Sequence, residues 1–196
     1  MKNLYTLLFV FFISSGITFA QNPFMAGVSY GANRAELVDS SPMACGSAFY
    51  AKKYFQEVGV SVAKRIGRKW EVQSGLIHGS GEVMINADYG EGVEPHSYAD
   101  ISIYSIPVQM KFYPLPFVFI AAGPVFDFGE RDSSFDQSGV GFQGGIGGHY
   151  QTGRVRFTIM PNVKMHRAFG GDKLDVNGRV GLSGIQFGMA YQLGSK

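Results

Sequence analysis

The stretch 102–129, SIYSIPVQMKFYPLPFVFIAAGPVFDFG, holds two alternating runs joined by Pro114-Leu115-Pro116. In the first, Ile106, Val108, Met110 and Phe112 share one face, with Pro107, Gln109 and Lys111 on the other. In the second, Val118, Ile120, Ala122, Pro124, Phe126 and Phe128 stand against Ala121, Gly123 and Asp127. A period of two is the spacing of strands, and a three-residue link makes the pair an antiparallel hairpin. One face is almost wholly apolar; the other mixes small, polar and charged residues. A sheet so divided is suited to having one side in lipid.

The same alternation recurs on both sides of this hairpin. Phe24, Ala26, Val28, Tyr30 and Ala32 oppose Gly27, Ser29, Gly31 and Asn33. Val58, Val60 and Val62 oppose Glu57, Gly59, Ser61, Ala63 and Arg65, and Trp70, Val72 and Leu76 oppose Glu71, Gln73 and Gly75. Three further strands follow, carrying Val140–Tyr150, Val155–Lys164 and Gly184–Leu193. Short turns are expected at Gly67-Arg68-Lys69, Pro114-Leu115-Pro116 and Thr152-Gly153-Arg154. Long polar connections are expected at Val38–Gly46, Ser80–Ser97, Gly129–Ser138 and Arg167–Gly178. Eight strands with short turns on one rim and long loops on the other predict an all-β, eight-stranded, antiparallel up-and-down transmembrane β-barrel. The turns would be periplasmic and the loops extracellular.

Closure follows from the solvent. Hydrocarbon offers no hydrogen bonds, so every strand-edge N–H and C=O needs a protein partner, and the last strand must pair with the first. Pro107, Pro124 and Pro161 each remove a ladder donor. They are expected at bulges or locally unpaired positions.

Residues 1–20 carry Lys2, the apolar run Leu7–Ile13 and a small-residue end at Thr18-Phe19-Ala20. This is the pattern of a secretory signal peptide cut after Ala20, leaving 21–196 as the barrel domain. Its apolar run is short for a bilayer span, which needs ~20 residues. Cys45 is the only cysteine, so no internal disulfide can form. A formal net charge of only +2 argues against a nucleic-acid partner.

Trp70, Phe112, Tyr150 and Tyr191 share the apolar parity, each within a few residues of a short turn or the C-terminus. They form a candidate belt at one membrane interface, where amphipathic rings are favoured. The opposite parity places Glu57, Glu71 and Asp127 inside with Arg65, Lys111, Arg156 and Lys164, joined by His149 and His166. The lumen of an eight-stranded barrel is just wide enough for side chains to fill. There the charges should pair into an ion-pair plug, the alternative being an ion or proton path.

The motifs resemble the PorT-like outer-membrane barrel family of the Bacteroidota. Ile106-Pro107 leading to Lys111-Phe112-Tyr113, then an aromatic run into Ala122-Gly123-Pro124, carry the likeness. So do Trp70-Glu71-Val72-Gln73-Ser74-Gly75-Leu76-Ile77, the Gly-rich sixth strand and Gly188-Met189-Ala190-Tyr191-Gln192-Leu193. The resemblance implies a non-enzymatic barrel in the cell outer membrane with a structural or interaction role, accessory to secretion or envelope assembly. Its partners would be outer-membrane lipid, the barrel-insertion machinery and an envelope or secretion protein, with the chain a monomer or a subunit of a larger complex. Barrels of this kind usually end in an aromatic residue; here the last is Tyr191, and Leu193 is followed by Gly194-Ser195-Lys196.

Two alternatives stand beside this. His78-Gly79-Ser80 resembles the His-x-Ser of lipid A deacylases, which would make the chain a lipid-modifying enzyme with His78 near the outer rim. A secreted, lipocalin-like binding barrel would invert the faces. Glu82, Asp88, Glu91, Glu94 and Asp100 crowd one connection with His96, but at a spacing that matches no calcium loop. They are expected to form a solvated acidic loop. No cofactor or metal is expected.

Overall fold

The computed structural model describes residues 24–38, 53–86, 96–129, 138–169 and 179–194. The signal sequence, Cys45, Asp88, Glu91 and Glu94 lie outside the described residues. Eight strands, β1 (Phe24–Val38), β2 (Lys53–Ile66), β3 (Trp70–Asn86), β4 (His96–Leu115), β5 (Val118–Gly129), β6 (Gly139–Thr152), β7 (Val155–Phe169) and β8 (Arg179–Leu193), form one closed barrel. Each pairs antiparallel with its neighbours in sequence, and β1 closes on β8 from Phe24↔Leu193 to Val38↔Arg179. This is the expected fold class.

The short rim is stitched from hairpin to hairpin. Gly67 and Gly153 supply the positive φ of their turns, at 79° and 56°. The Lys69 carbonyl accepts from the Tyr113 N–H at 2.8 Å, Phe117 from His149 at 2.9 Å and Arg154 from Gln192 at 2.8 Å. Turn carbonyls that the tight loops cannot satisfy are thus taken up by the adjoining hairpin.

The central hairpin departs from its expected link. β4 runs through Pro114 to Leu115 and the turn is Pro116-Phe117, with a register shift in the β4–β5 ladder between Phe112 and Leu115. A bulge tolerates a residue without an N–H, so Pro114 bends the strand without ending it.

The described residues at both ends of the connection expected over Ser80–Ser97 are strand. Pairing of β3 with β4 continues to Asn86↔His96, and Glu82 stands opposite Asp100 in the ladder, not in a loop. A tilted strand crosses a bilayer in ~9–11 residues, so β3 and β4, of 17 and 20 residues, project beyond it. Outside hydrocarbon a strand needs no apolar face. The alternation lapses there while the hydrogen bonds continue.

The three prolines sit at locally unpaired positions. The β3–β4 ladder lacks the pairs between Ser74↔Val108 and Ile77↔Ser105, at Pro107. The β4–β5 ladder lacks those between Pro107↔Val125 and Met110↔Ala122, at Pro124, and the β6–β7 ladder those between Gly145↔Asn162 and Gly148↔Ile159, at Pro161. On its other side each proline stays paired, with Val125, Phe142 and Ile185 respectively. The register is the same across each gap, so these are missing bonds and not bulges. The strands also pass closely at one gap: a Cβ on Gly123 would overlap the Val108 carbonyl oxygen.

Candidate functional site: the charged lumen and the apolar exterior

The parity of each strand fixes what faces where. Val58, Val60, Val62, Val108, Ile120, Ile146, Ile159, Phe187 and Met189 all point outward and are exposed, while Glu57, Glu71, Lys111, Asp127, Arg156 and Lys164 are buried in the lumen. The faces are not inverted, so the barrel is not built as a lipocalin. A wall of exposed aliphatic side chains encircling a charged interior is a lipid-facing surface.

The four belt residues lie at the short-turn end on that exterior. Trp70, Tyr150 and Tyr191 are exposed and Phe112 is partly so, with the Trp70 and Phe112 rings 4.7 Å apart. Arg154, in the β6–β7 turn, brings Nη1 to 3.5 Å from the Tyr191 hydroxyl. Nearer the long-loop end, Tyr30, Tyr54, Tyr104 and Phe128 are exposed on the same exterior.

Inside, the charges divide into three clusters. The largest is centred on Glu71, at the start of β3. Its Oε2 accepts from Arg156 Nη1 at 2.6 Å, and Lys111 Nζ and Arg65 Nε lie 3.8 Å from its carboxylate. Arg156 also donates to the Tyr113 hydroxyl at 3.4 Å and to Gln151 Oε1 at 3.5 Å. Three cations around one carboxylate leave excess positive charge, which aromatic faces help to offset. Lys111 Nζ sits 4.8 Å from the centre of the Phe119 ring and the Arg65 guanidinium 5.0 Å from that of Tyr113. His149 packs edge-on against Tyr113 at 5.3 Å.

The second cluster joins Glu57 to Lys164, at 2.5 Å, and to Asn33 Nδ2, which donates at 2.8 Å. In the third, Asp127 accepts from the Ser105 hydroxyl at 2.6 Å and meets His166 Nδ1 at 2.9 Å, all three residues buried. Here the carboxylate lies between the hydroxyl and the imidazole. Ser105 is therefore not bonded to a base, and the trio lacks the order of a nucleophilic triad. Among the described residues no group of three or more His, Cys, Asp or Glu could hold a metal.

Apolar side chains share the lumen with the charges, and the charged parity alone did not point to them. Ala35, Phe55, Ile101, Ile103, Val180 and Leu182 form a buried cluster toward the long-loop end, and Tyr113, Phe119, Ala121 and Met160 another toward the short turns. Phe55 shares the parity of Glu57, and Leu182 that of Gly184; extending the alternation outward would have found them. Beside them a cavity of about 40 Å³ is lined by Glu71, Gln73, Gln109, Lys111, Arg156 and other residues. It has room for a few waters at most.

His78 and Ser80 are on the exterior and exposed. The His78 ring lies against Tyr104 at 4.7 Å. His78 pairs in register with Tyr104, on the exterior toward the long-loop end.

A closed eight-stranded antiparallel barrel with an apolar exterior wall and a charged interior has the build of an outer-membrane β-barrel. No family model matches the chain, and no curated protein matches it in sequence. Among solved structures it is similar to Ail, the attachment invasion locus protein of Yersinia pestis, with a TM-score of 0.42 and 13% identity over 88% of this chain and 99% of that one. It is also similar to the translocator domain of the autotransporter NalP from Neisseria meningitidis, with a TM-score of 0.39 and 8% identity over 91% of each chain. Likeness at this identity is one of fold.

Proposed function

We propose that this chain is a non-enzymatic outer-membrane barrel, of the PorT-like kind its motifs resemble, whose lumen is plugged and which acts through its rims. The observation that carries this reading is the filling of the lumen by side chains. The Glu71, Glu57 and Asp127 clusters are buried and internally hydrogen-bonded, with one apolar cluster packed among the Glu71 group and another toward the long-loop end. A conducting path needs a continuous water column, and a cavity of about 40 Å³ is not one. A catalytic reading needs a base with an orienting partner at the lipid face, where His78 instead packs on Tyr104. The short turns face the periplasm and the long connections the exterior. The protein works as a monomer or as a subunit of an envelope or secretion assembly.

Two measurements test this. Purified protein in a planar bilayer should give no discrete openings; stable, ion-selective channels would overturn the plug and turn the same charges into a conduction path. In fractionated cells the protein should need detergent for extraction and should shift its gel mobility on boiling. Recovery in the soluble periplasmic fraction without a boiling shift would overturn the membrane reading.

A further inference from the structure

Two of the bases around Glu71, Lys111 and Arg156, also line the small lumen cavity, together with Gln73 and Gln109. Both bases are buried, and Glu71 is the one acid among the lining residues. Its Oε2 accepts from Arg156 at 2.6 Å, while Lys111 Nζ, at 3.8 Å from Oε1, stands beyond hydrogen-bond reach. The other two lumen acids are engaged elsewhere, Glu57 with Lys164 and Asn33, and Asp127 with Ser105 and His166. The buried part of the cluster therefore sets two bases against one carboxylate, before the partly exposed Arg65 is counted.

Donors without acceptors mark the same place. Gln109, 3% exposed, lines the cavity, and its Nε2 has no hydrogen-bond partner among the described residues; nor has Arg156 Nε. Both groups can only donate, so each needs an acceptor or carries its full desolvation cost. Glu71 Oε1 also lacks a hydrogen bond, but Lys111 offsets its charge. Water in the cavity would satisfy the donors and leave the excess charge in place. A small anion answers both. The cavity of about 40 Å³ admits a halide, which is close to water in size, and not a phosphate or a carboxylic acid.

We propose that the lumen cavity binds one halide ion, chloride, between Lys111, Arg156 and Gln109. The proposal rests on the plug reading above and deepens it: the ion completes the charge balance of the plug and is held, not conducted. The Arg65 side chain, 39% exposed, connects the cluster to the short-turn rim, the side from which the ion enters.

The test is urea unfolding of the protein in phosphatidylcholine vesicles at pH 7, with chloride exchanged for gluconate at constant ionic strength. A tenfold rise in chloride should raise the folding equilibrium constant by up to about tenfold, the limit for one site present only in the folded state. Lys111→Met, which brings buried base and acid to parity, should remove this dependence. Gln109→Leu should weaken it while leaving the ion pairs in place. Crystals grown in bromide should show one anomalous peak among Lys111, Arg156 and Gln109. Stability independent of chloride, a dependence that both variants retain in full, or a bromide peak without any effect on stability (an adventitious ion only) would overturn the proposal. If Lys111→Met does not fold, Gln109→Leu and the bromide peak decide. Chloride-independent stability in a protein that gives no openings in a planar bilayer overturns the site and leaves the plug standing, whereas discrete openings overturn both.

Discussion

Replacing Glu71 with alanine is expected to destabilise the folded barrel by about 3–5 kcal/mol, the cost of leaving buried charge without its counter-ion. Among the described residues Glu71 is the one acid in a cluster whose bases come from three other strands: Arg65 of β2, Lys111 of β4 and Arg156 of β7. Lys111 and Arg156 are themselves buried, so without the carboxylate they face each other across the lumen. Waters in the adjacent small cavity can take only part of the load. Urea unfolding of the wild type and variant in the same lipid vesicles measures the difference.

A compensated variant separates buried charge from simple loss of packing. Glu71→Met combined with Lys111→Met and Arg156→Met removes acid and buried bases together, and apolar replacement of whole buried ion-pair sets is often neutral or stabilising. It should recover most of the stability lost in the single variant. A loss below about 1 kcal/mol for Glu71→Ala, within the range of an exposed pair, would mean that the cluster is solvated and the plug reading is wrong. A triple variant no more stable than the single one would point the same way.

Parity along a strand is a property of the backbone, so the sequence alone tells which residues face the lumen. Height around the barrel is not. Glu71 and Arg156 are 85 residues apart and on strands that are not neighbours. The stagger that brings them to one level emerges from seven hairpin registers and the closing β1–β8 pair. The same holds for Glu57 with Lys164. The acids and bases inside could thus be listed from alternation, while their division into three clusters could not.

Where the strands leave the hydrocarbon, alternation is also lost. Gly79-Ser80-Gly81-Glu82 has the composition of a loop, yet its backbone pairs with residues 100–103. The apolar cluster of Phe55, Ile101, Ile103, Val180 and Leu182 is hidden for the same reason, because part of it lies in stretches of strand that hydropathy does not mark. Pro114 misleads in the other direction. Flanked by Leu115 and Pro116 it suggests a turn, but the bulge beside it lets the strand continue. Pro107, Pro124 and Pro161 are simpler, since an absent donor predicts an absent bond wherever the ring sits.

The lipid-facing wall yields the second large effect. Val108 points outward and is 38% exposed, while its neighbour Gln109 is 3% exposed in the lumen. Val108 is four residues from Phe112 of the belt, roughly 10 Å along a strand tilted by about 40°. That places it near the middle of an apolar band about 25 Å tall. An arginine there must take its charge into hydrocarbon, so Val108→Arg is expected to cost about 2–4 kcal/mol in vesicle-folding experiments. Ile66 shares the outward parity but closes β2 at the short-turn rim, where an arginine can reach headgroups. Ile66→Arg should therefore cost only about 0–1 kcal/mol. Val108→Phe keeps the position apolar while adding bulk, and should leave folding nearly unchanged. The depth dependence is the decisive feature, because a soluble protein with an exposed valine would accept arginine equally at both heights. Equal costs at positions 66 and 108, or none at either, would show that the exterior does not face a bilayer.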